Sequence, residues 1–510
     1  MSTISMLPLE ALASLVRGGS TAVRVHSGAV QPGDAFIALP GAVPVGPEGP
    51  DYTDAPKYLV AALQGGATHV VCTGAVRDAA AAALATAASL RDVTVTLVSD
   101  TRAALGVLAA ARCGTETSRM KLIGITGTNG KTTETYLLEH LFRAAGHECG
   151  VIGTVEYRWP GFAEASPLTT PDCMRLHGMM ADMERAGADV ALMEVSSHAI
   201  EQNRIAGLDF AGALFTNLTQ DHLDYHKDME DYYGVKKRLF LDPAQGGVPH
   251  SGKALAVNVD DPYGARLVAA CPSALGYGFG PAARSGAGRC LLGVLREQSQ
   301  AGLQLSMTYE GTTWELQSPL VGEFNAANLL GAQAMALACG LAPKQMTALA
   351  SFMGVPGRLE RIANAQNLAV FVDYAHTPDA LAKALQALRG AKFERIIAVF
   401  GCGGNRDRTK RPLMGKAVAA LADVAVVTSD NPRREDPLAI LDDIRPGLVG
   451  AQKVLEAVDR KTAIGLALNE MRQGDALLIA GKGHEPYQIV GDTRHPFSDQ
   501  QVVKELLGCA

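Results

Sequence analysis

Residues 124–133, GITGTNGKTT, decide the fold of the region around them. An apolar, strand-like segment at 121–125 leads into this stretch, and a helix-like segment follows at 136–145. Glycines let the backbone turn closely around a phosphate, so that N–H groups point at its oxygens. The start of a helix adds a partial positive charge, and the adjacent lysine adds a full one. The stretch therefore predicts a phosphate-binding loop between a strand and a helix.

The loop departs from the strict phosphate-loop pattern at one position. That pattern has a glycine where this chain has Ile125, and Gly124 lies one residue earlier. We therefore interpret the loop as a variant. A lysine at this place suits phosphates, and the hydroxyl of the next threonine suits Mg²⁺. The expected nucleotide contacts are Gly127, Thr128, Asn129, Gly130, Lys131, Thr132 and Thr133.

Length and composition indicate a large globular protein. The 510 residues exceed one typical domain, and 47% hydrophobic residues provide ample core. A net charge of −6 argues against a nucleic-acid partner, and no apolar run is long enough to predict membrane insertion. Residues 1–15 lack a basic region, which is typical of mature protein and not of a signal peptide. Nine cysteines without a C-x-x-C pair predict free thiols in a reducing cytoplasm.

The chain divides into three predicted domains, 1–100, 101–354 and 355–510. The first contains strand-like runs at 35–39, 69–72 and 93–98, a helix-like alanine-rich stretch at 79–88 and an irregular loop at 41–50. The second adds strand-like runs at 190–195 and 211–216 to the phosphate loop.

The last domain alternates most regularly between two kinds of segment. Its strand-like runs are 369–374, 396–400, 424–428 and 476–480, and its helix-like segments are 378–388, 412–421, 438–444 and 461–471. Such alternation predicts right-handed crossovers and a mostly parallel sheet. The predicted fold class is α/β, with a smaller α/β N-terminal domain, a central P-loop-type parallel-sheet domain and a C-terminal doubly wound, Rossmann-like domain.

Polar clusters begin where apolar strands end. They are EVSSH at 194–198, NLTQDH at 217–222, DYAH at 373–376, GCGGNRD at 401–407, DNPR at 430–433 and GKGHE at 481–485. Ligands of open parallel sheets bind at the carboxyl ends of the strands. Two domains of this kind are expected to form a cleft, with nucleotide on one wall and the other substrates meeting in it.

Several clusters contain candidate catalytic groups. Glu194 ends a strand, where a hard oxygen ligand for Mg²⁺ is expected, although a solvated strand end is the alternative. His198 and His222 are either core histidines or caps, or one of them contacts a second metal or the transition state. The acidic residues and the histidine near His222 favour the latter interpretation. Lys236 and Lys237 lie on a helix-like stretch and, from the residues alone, are interpreted as a solvated face.

A basic group stands out in a chain of negative charge. It consists of Arg358, Arg406, Arg408, Lys410 and Arg411. Surface solubility is one interpretation, but the glycine turns beside these residues favour anion binding, since guanidinium pairs bidentately with carboxylate or phosphate. Together with the phosphate loop, this inventory suits ATP-driven activation of a carboxylate, followed by attack of an amine on an acyl phosphate.

Eight motifs, in this order, resemble the Mur ligases of peptidoglycan synthesis. They are GTNGKTT, EVSSHA, NLTQDHLDYH, GEFNAANLLGA, VDYAHTPDAL, FGCGGNRDRTKRPLMG, DNPRREDP and GKGHE. The resemblance extends from about residue 24 to about residue 490. It is thinnest in the first domain, where the family has Asp-Ser-Arg and this chain has His26, Ser27 and Gly28.

The resemblance implies a monomeric cytoplasmic ligase that uses ATP and Mg²⁺ to join meso-diaminopimelate to UDP-N-acetylmuramoyl-L-alanyl-D-glutamate. It implies metal ligands Thr132, Glu194, His222 and Lys236, and catalytic roles for Lys131, Glu194, His222 and Lys236. Lys236 would be carbamylated, which reverses the solvated-face interpretation. Further nucleotide contacts would be Asn325, Asn328 and Arg358. The muramoyl-dipeptide contacts would be Ser27, Thr169, Thr170, Ser196, Gln202 and Arg204.

The resemblance places diaminopimelate among Arg406, Asp430, Asn431, Pro432, Arg433, Gly481 and Glu485. Arg433 can pair with the distal carboxylate of diaminopimelate, and Glu485 can receive an ammonium. L-Lysine lacks that carboxylate, and a site built on such pairing can discriminate by as much as roughly 10⁴-fold. The alternatives are a lysine-adding ligase, a folylpolyglutamate synthase-like ligase and an ATPase that switches a partner.

Overall fold

The computed structural model describes residues 4–19, 21–41, 52–248, 254–284 and 289–508. The strands of these residues form three large sheets and one two-stranded sheet. Apart from Gly41, the loop predicted at 41–50 lies outside the described residues. Within the described residues, no helix has the length and apolarity needed to cross a bilayer.

The first sheet has five strands, all parallel, in the order β1-β5-β4-β3-β2. They are β1 Ile4–Met6, β2 Val23–Arg24, β3 Ala35–Ile37, β4 His69–Cys72 and β5 Val93–Leu97. The helices around it are α1 Leu9–Arg17, α2 Ala55–Gln64, α3 Gly74–Ala79, α4 Ala81–Leu90 and α5 Thr101–Cys113. The single helix predicted at 79–88 is wrong in detail, because Ala80 leaves helical geometry (φ −103°, ψ 11°) and separates α3 from α4.

Helix α5 joins the first sheet to the next one. Its Leu105 and Leu108 are buried in one core with Leu12 and Ile37. On its other side, a Cβ placed on Gly106 would lie 2.5 Å from the carbonyl carbon of Ala206. A Cβ on Gly207 would overlap the carbonyl oxygen of Gly106 in turn. The two backbones therefore touch, and the boundary at residue 100 stays a prediction.

The central sheet has eleven strands in the order β16-β15-β14-β13-β12-β11-β6-β10-β7-β8-β9. They are β6 Lys121–Thr126, β7 Cys149–Ile152, β8 Glu156–Trp159, β9 Phe162–Ala165, β10 Val190–Glu194, β11 Gly212–Phe215, β12 Ala254–Asn258, β13 Leu275–Gly278, β14 Cys290–Ser299, β15 Gly302–Tyr309 and β16 Thr312–Ser318. Its helices are α6 Lys131–Ala144, α7 Cys173–Arg185, α8 Ser197–Glu201, α9 Met229–Lys237, α10 Pro262–Ala270, α11 Pro281–Arg284 and α12 Glu323–Ala338.

The middle of this sheet is parallel, and antiparallel strands extend both edges. The predicted strands β6, β10 and β11 are neighbours in this parallel part. Each is buried on both faces, between two separate apolar cores. Burial on both faces explains why these strands are continuous apolar runs.

The third sheet has the order β17-β18-β22-β19-β20-β21, parallel except for β17. Its strands are β17 Glu360–Arg361, β18 Ala369–Asp373, β19 Ile396–Phe400, β20 Val424–Val427, β21 Val454–Glu456 and β22 Ala476–Ala480. Helices α13 Pro378–Gly390, α14 Lys410–Leu421, α15 Pro437–Ile444, α16 Arg460–Glu470 and α17 Asp499–Leu506 surround it, and β23 Tyr487–Val490 pairs with β24 Thr493–Pro496. All strands and helices predicted here are confirmed to within a few residues.

Candidate active site

The phosphate loop connects β6 to α6, as predicted. Gly127 and Gly130 have φ values of +146° and +90°, which disfavour any side chain. A Cβ on Gly127 would overlap Thr216 Oγ1, and one on Gly130 would lie 2.6 Å from Asn328 Oδ1. Gly124 lies inside β6 against the ring of Phe210, so it supports strand packing and does not belong to the loop.

Lys131 begins α6 and its side chain folds back over the loop. Its Nζ donates to the carbonyl oxygens of Gly127 and Thr128, at 3.0 and 2.9 Å. Burial lowers the pKa of Lys131 from its ordinary value. The N–H groups of the first helical turn have no partner within the helix and are available to an anion.

Glu194 is 1% exposed, so the alternative of a solvated strand end is wrong. Its Oε2 accepts from Thr132 Oγ1 at 3.1 Å and from Thr154 Oγ1 at 3.0 Å, and its Oε1 accepts from the N–H of Thr154 at 2.7 Å. Two hard oxygens, from Thr132 and Glu194, thus lie side by side at the loop. This donor set fits Mg²⁺, which usually takes one or two carboxylates and completes its shell with phosphates and water. In the described part of the chain, no three His, Cys, Asp or Glu side chains form a metal-binding group by themselves.

Lys236 lies on α9 and is 1% exposed, so the solvated-face interpretation is wrong for it. Its Nζ donates to the Gly127 carbonyl at 3.0 Å and to Thr126 Oγ1 at 3.3 Å. Burial, together with the nearby charge of Lys131, holds the pKa of Lys236 well below its ordinary value. The amine is therefore placed directly under the phosphate loop. Lys237 is partly exposed beside the ring of Tyr233.

His222 lies near the loop in an aromatic cluster. Its backbone has φ +55°, and its ring centroid is 5.1 Å from that of His198. His198 in turn lies 4.0 Å from the Tyr225 ring, and burial lowers the pKa of His198 to about 4. His226 is 3% exposed and shares a hydrogen bond of 2.9 Å with Ser197 Oγ. Of these histidines, His226 has the environment of a core histidine, while His222 remains half exposed.

A cavity of about 460 Å³ opens from the loop towards the third sheet. Asn328 on α12 lines it, and Asn325 supports Asn328 by accepting from its Nδ2 at 3.2 Å. The far wall carries Arg358 and Asp373. The Arg358 guanidinium lies 4.9 Å from the Tyr374 ring centroid, and its buried Nε has no hydrogen-bond partner. All the predicted nucleotide contacts except Gly127 and Asn325 therefore line one cavity.

Five of the six predicted muramoyl-dipeptide residues form one network beside β10. Thr170 Oγ1 donates to the Glu194 carbonyl at 2.8 Å and accepts from the Ser196 N–H at 3.1 Å. Arg204 donates to the Thr170 carbonyl at 3.0 Å and to Gln202 Oε1. Thr169 Oγ1 lies 3.1 Å from Thr154 Oγ1, next to Glu194. Ser27 begins a short 3-10 turn after β2 on the first sheet and lies outside this network.

The predicted diaminopimelate residues meet at the carboxyl edge of the third sheet. Asn431 Nδ2 donates to Glu485 Oε2 at 3.1 Å, which joins the segment after β20 to the segment after β22. The Nζ of Lys482 donates to Asn431 Oδ1 at 3.1 Å. Lys482 is fully buried, and sequence reasoning missed it; its only signal is its place between two glycines at a strand end.

Arg433 projects from a strained turn in the same region. Its φ is +52°, and its backbone bonds to Ile489 and Gly491 of the β23–β24 hairpin, at 3.0 and 2.7 Å. Its Nη1 donates to the Gly404 carbonyl at 2.9 Å, and Pro432 packs against Gly404. A Cβ on Gly403 would lie 3.0 Å from Arg433 Nη1 and 3.7 Å from Arg406 Cγ, so two arginines flank that glycine.

The basic group of the sequence does not form one anion site. Arg411 is fully buried, and it donates to Asp443 at 2.8 Å and to Glu435 at 3.0 Å. Arg408 binds both oxygens of Asp443 at 3.0 Å. The anion-binding interpretation is therefore wrong for these two arginines, because protein carboxylates already occupy them. Lys410 donates to the His376 carbonyl at 3.0 Å.

A phosphate loop, a buried carboxylate beside it and a polar pocket across the cleft define the class of ATP-dependent ligases. The Mur ligase middle domain matches residues 125–336, and the Mur ligase glutamate ligase domain matches residues 357–483. The chain belongs to the Mur ligase family.

Named relatives are similar over almost the whole chain. A UDP-N-acetylmuramoyl-L-alanyl-D-glutamate–2,6-diaminopimelate ligase of Lawsonia intracellularis is 47% identical, over 98% of this chain and 99% of its own length. The ligase of the same name from Gloeobacter violaceus is 43% identical, over 94% and 92%. A solved structure with this name has a TM-score of 0.67 at 30% identity and covers 96% of this chain and 94% of its own.

Proposed function

We propose that this chain joins meso-diaminopimelate to UDP-N-acetylmuramoyl-L-alanyl-D-glutamate, with consumption of ATP, in peptidoglycan synthesis. The observation that carries the proposal is the single cavity shared by the phosphate loop and by Arg358 and Asp373 of the last predicted domain. A nucleotide bound there faces both the dipeptide network and the polar pocket of the third sheet. The identity to relatives of that name supports the same assignment.

The loop holds the triphosphate through its N–H groups and the start of α6. Lys131 exchanges its two loop carbonyls for phosphate oxygens, since it already lies in reach of them. Thr132 and Glu194 are the residues that would hold Mg²⁺, which neutralises phosphate charge when bound. His222 contributes a further contact from the edge of the aromatic cluster.

The dipeptide network presents a carboxylate of the terminal D-glutamate next to Glu194. Thr169, Thr170, Ser196, Gln202 and Arg204 supply hydroxyl, amide and guanidinium groups for it, and Ser27 contacts the uridine end. The carboxylate oxygen attacks the γ-phosphorus and ADP leaves, which gives an acyl phosphate. The free amine of diaminopimelate then attacks the acyl carbon, and the amide forms as inorganic phosphate and a proton leave.

Lys236 is proposed to act as a carbamate. No carboxylate among the described residues lies within ion-pairing distance of its Nζ, whose acceptors are the neutral oxygens of Gly127 and Thr126. Addition of CO₂ to the neutral amine releases one proton and produces an anionic group under the loop. That group would offer a second carboxylate-like ligand, besides Glu194, to a metal ion bound at the loop.

The third sheet supplies the amino-acid pocket. Arg406 and Arg433 pair with the distal carboxylate of diaminopimelate, while Asp430, Asn431 and Glu485 receive its ammonium. Pro432 and Gly481 shape the turns that carry these groups. We assign the UDP end to residues 1–100, ATP to 101–354 and the amino acid to 355–510. The eight cysteines in the described part of the chain are free, which supports a reducing, cytoplasmic location for a monomeric enzyme.

Phosphate release tests the function directly. The assay contains ATP, Mg²⁺ and UDP-N-acetylmuramoyl-L-Ala-D-Glu with meso-diaminopimelate, with L-lysine or without an amino acid. Release that requires diaminopimelate, with the UDP-tripeptide identified by mass, is the expected result. Equally efficient release with L-lysine would identify the chain as a lysine-adding ligase. Equal release without an amino acid would favour an ATPase that switches a partner.

A further inference from the structure

Lys482 is a buried cation at the centre of the amino-acid pocket. It follows Gly481 directly after β22, and its side chain is fully buried. Besides the bond to Asn431, its Nζ lies 3.6 Å from Asp430 Oδ1 and 3.5 Å from Glu485 Oε2. One ammonium thus contacts three of the residues assigned to the substrate.

A second buried cation nearby, Arg460, is already neutralised. Arg460 and Asp499 are both fully buried and form a bidentate pair, with both bonds at 2.8 Å. Arg460 also donates to the Ala480 carbonyl at 2.9 Å, directly before Gly481. This pair holds the strand end in place, and among the described residues Lys482 is the cation within ion-pair distance of Asp430 and Glu485.

In Asp430 and Glu485, some carboxylate oxygens are bonded within the protein and others are available to a ligand. Glu485 Oε2 accepts the hydrogen bond from Asn431 Nδ2 and lies near Lys482 Nζ, so Oε1 is the oxygen available to a ligand. Asp430 is 7% exposed, and its buried Oδ1 has no hydrogen-bond partner, because Lys482 approaches only to 3.6 Å. A buried carboxylate oxygen without a donor is a place where an incoming N–H group gains a full hydrogen bond.

The charges of the pocket decide which distal group fits. Asp430 and Glu485 are two anions, whereas Lys482, Arg406 and Arg433 are three cations, so the pocket carries one excess positive charge. The distal end of meso-diaminopimelate is a zwitterion and is neutral overall. The distal end of L-lysine is a lone ammonium, and a like charge in a desolvated pocket is strongly disfavoured.

We propose that Lys482 is a specificity-determining residue: its ammonium orients Asp430, Asn431 and Glu485 and excludes amino acids whose distal end is only cationic. The proposal rests on the proposed function. Lys482 does not touch the reacting atoms, so it acts as a positioning residue through its three neighbours. Arg433 attracts the distal carboxylate, and Lys482 repels a distal ammonium that no carboxylate accompanies.

The test compares Lys482→Gln and Lys482→Arg with the wild type. The control is Lys461→Gln, which removes an exposed lysine paired with Glu505 on α17. The measurements are kcat and KM for diaminopimelate, L-lysine and ATP, together with thermal melting. We expect Lys482→Gln to reduce the ratio of kcat/KM for diaminopimelate over L-lysine at least about tenfold, with KM for ATP unchanged. Lys482→Arg should retain most of the ratio.

An equal loss for both amino acids in Lys482→Gln, or the same change in Lys461→Gln, would overturn the proposal. A wild type that ignores diaminopimelate would instead reject the proposed function. If the Lys482 variants do not fold, the proposal is tested on the wild type by competition of other amino acids with diaminopimelate. L-Norleucine, which has the same length as L-lysine but no distal charge, should then compete more strongly than L-lysine, and the opposite order would exclude the charge argument.

Discussion

Thr132 Oγ1 donates to Glu194 Oε2 across 3.1 Å, and this bond joins the first turn of α6 to the end of β10. Strand β10 is the parallel neighbour of β6, so the bond brings a hydroxyl and a buried carboxylate together beside the loop, where phosphates are expected. A neutral hydroxyl is a weak partner for a buried carboxylate, and a cation bound by both oxygens would be a stronger one.

Glu194→Gln tests this arrangement. Removal of the carboxylate charge should raise the Mg²⁺ concentration needed for half-maximal activity by about 10- to 100-fold, because a neutral amide is a poorer ligand. A magnesium titration of phosphate release measures the effect. Glu315→Gln, which changes an exposed carboxylate on β16, is the control. An unchanged requirement in Glu194→Gln would remove Glu194 from the metal site.

Gly127→Ala tests the loop. A methyl group at φ +146° is strained and overlaps Thr216 Oγ1, so the loop has to open. Strain of this kind costs on the order of 1–3 kcal/mol, and we expect a lower melting temperature and no stabilisation by ATP. Gly178→Ala on α7 is the control, because a Cβ there meets no atom within 4 Å. ATP-dependent stabilisation of Gly127→Ala would show that the loop tolerates a side chain.

Arg433→Ala tests the amino-acid pocket. The loss of the guanidinium removes the partner of the distal carboxylate, so KM for diaminopimelate should rise at least about tenfold while KM for ATP stays constant. Arg434→Ala is a close control, since Arg434 is exposed and pairs with Asp492 at 2.7 Å. Equal KM values for diaminopimelate in both variants would show that Arg433 does not bind the distal carboxylate.

Carbamylation of Lys236 predicts a dependence on CO₂. Enzyme prepared without CO₂ should lose activity, and bicarbonate should restore it, whereas Lys236→Ala should be inactive under both conditions. Labelled ¹³CO₂ should give a carbamate signal in the wild type and in Lys237→Ala, but none in Lys236→Ala. A wild-type spectrum without that signal, at full activity, contradicts the proposal.

His484 should make the folded protein less stable in acid. Burial, with a contribution from Arg358, lowers the pKa of His484 to about 4 from an ordinary 6.5. Between these values the unfolded chain binds a proton that the folded chain does not, so stability falls as the pH falls from about 6.5 to about 4. Urea unfolding across this window should show a shallower decline in His484→Gln than in the control His495→Gln, an exposed position. Equal slopes would assign the decline to other groups.

The sequence predicted the strands that burial makes long and uniformly apolar, but it missed the short buried strands β7 and β13. The strands β18, β19, β20 and β22 are nearly continuous apolar runs because helices cover both faces of their sheet. The edge hairpins of the central sheet were not predicted, since strands such as β9, with the sequence FAEA, and β16, with TTWELQS, are largely exposed and mix polar with apolar residues. Local pattern carries little information at such edges.

The site was predicted in the same uneven way. The loop and Glu194 were found because a strand end is visible in the sequence. The burial of Lys236 was not predicted from the residues, because packing with residues distant in sequence decides which side of α9 meets the loop. Arg411 was misjudged for the same reason, since Asp443 lies on another helix. Lys482 was missed because its only local signal is its place between two glycines at a strand end, which a surface lysine can share.

The backbone contact between Gly106 and Gly207 has a consequence for the geometry of a long substrate. Gly207 comes three residues after Arg204, and α5 packs on the first sheet, so no side chain separates the two walls. Under the assignment proposed above, which places the UDP end on residues 1–100, the backbone of these two glycines sets the distance between the two ends of the UDP-linked dipeptide. A wider residue at either glycine would lengthen that spacing and leave a substrate anchored at its uridine end with its carboxylate short of the nucleotide.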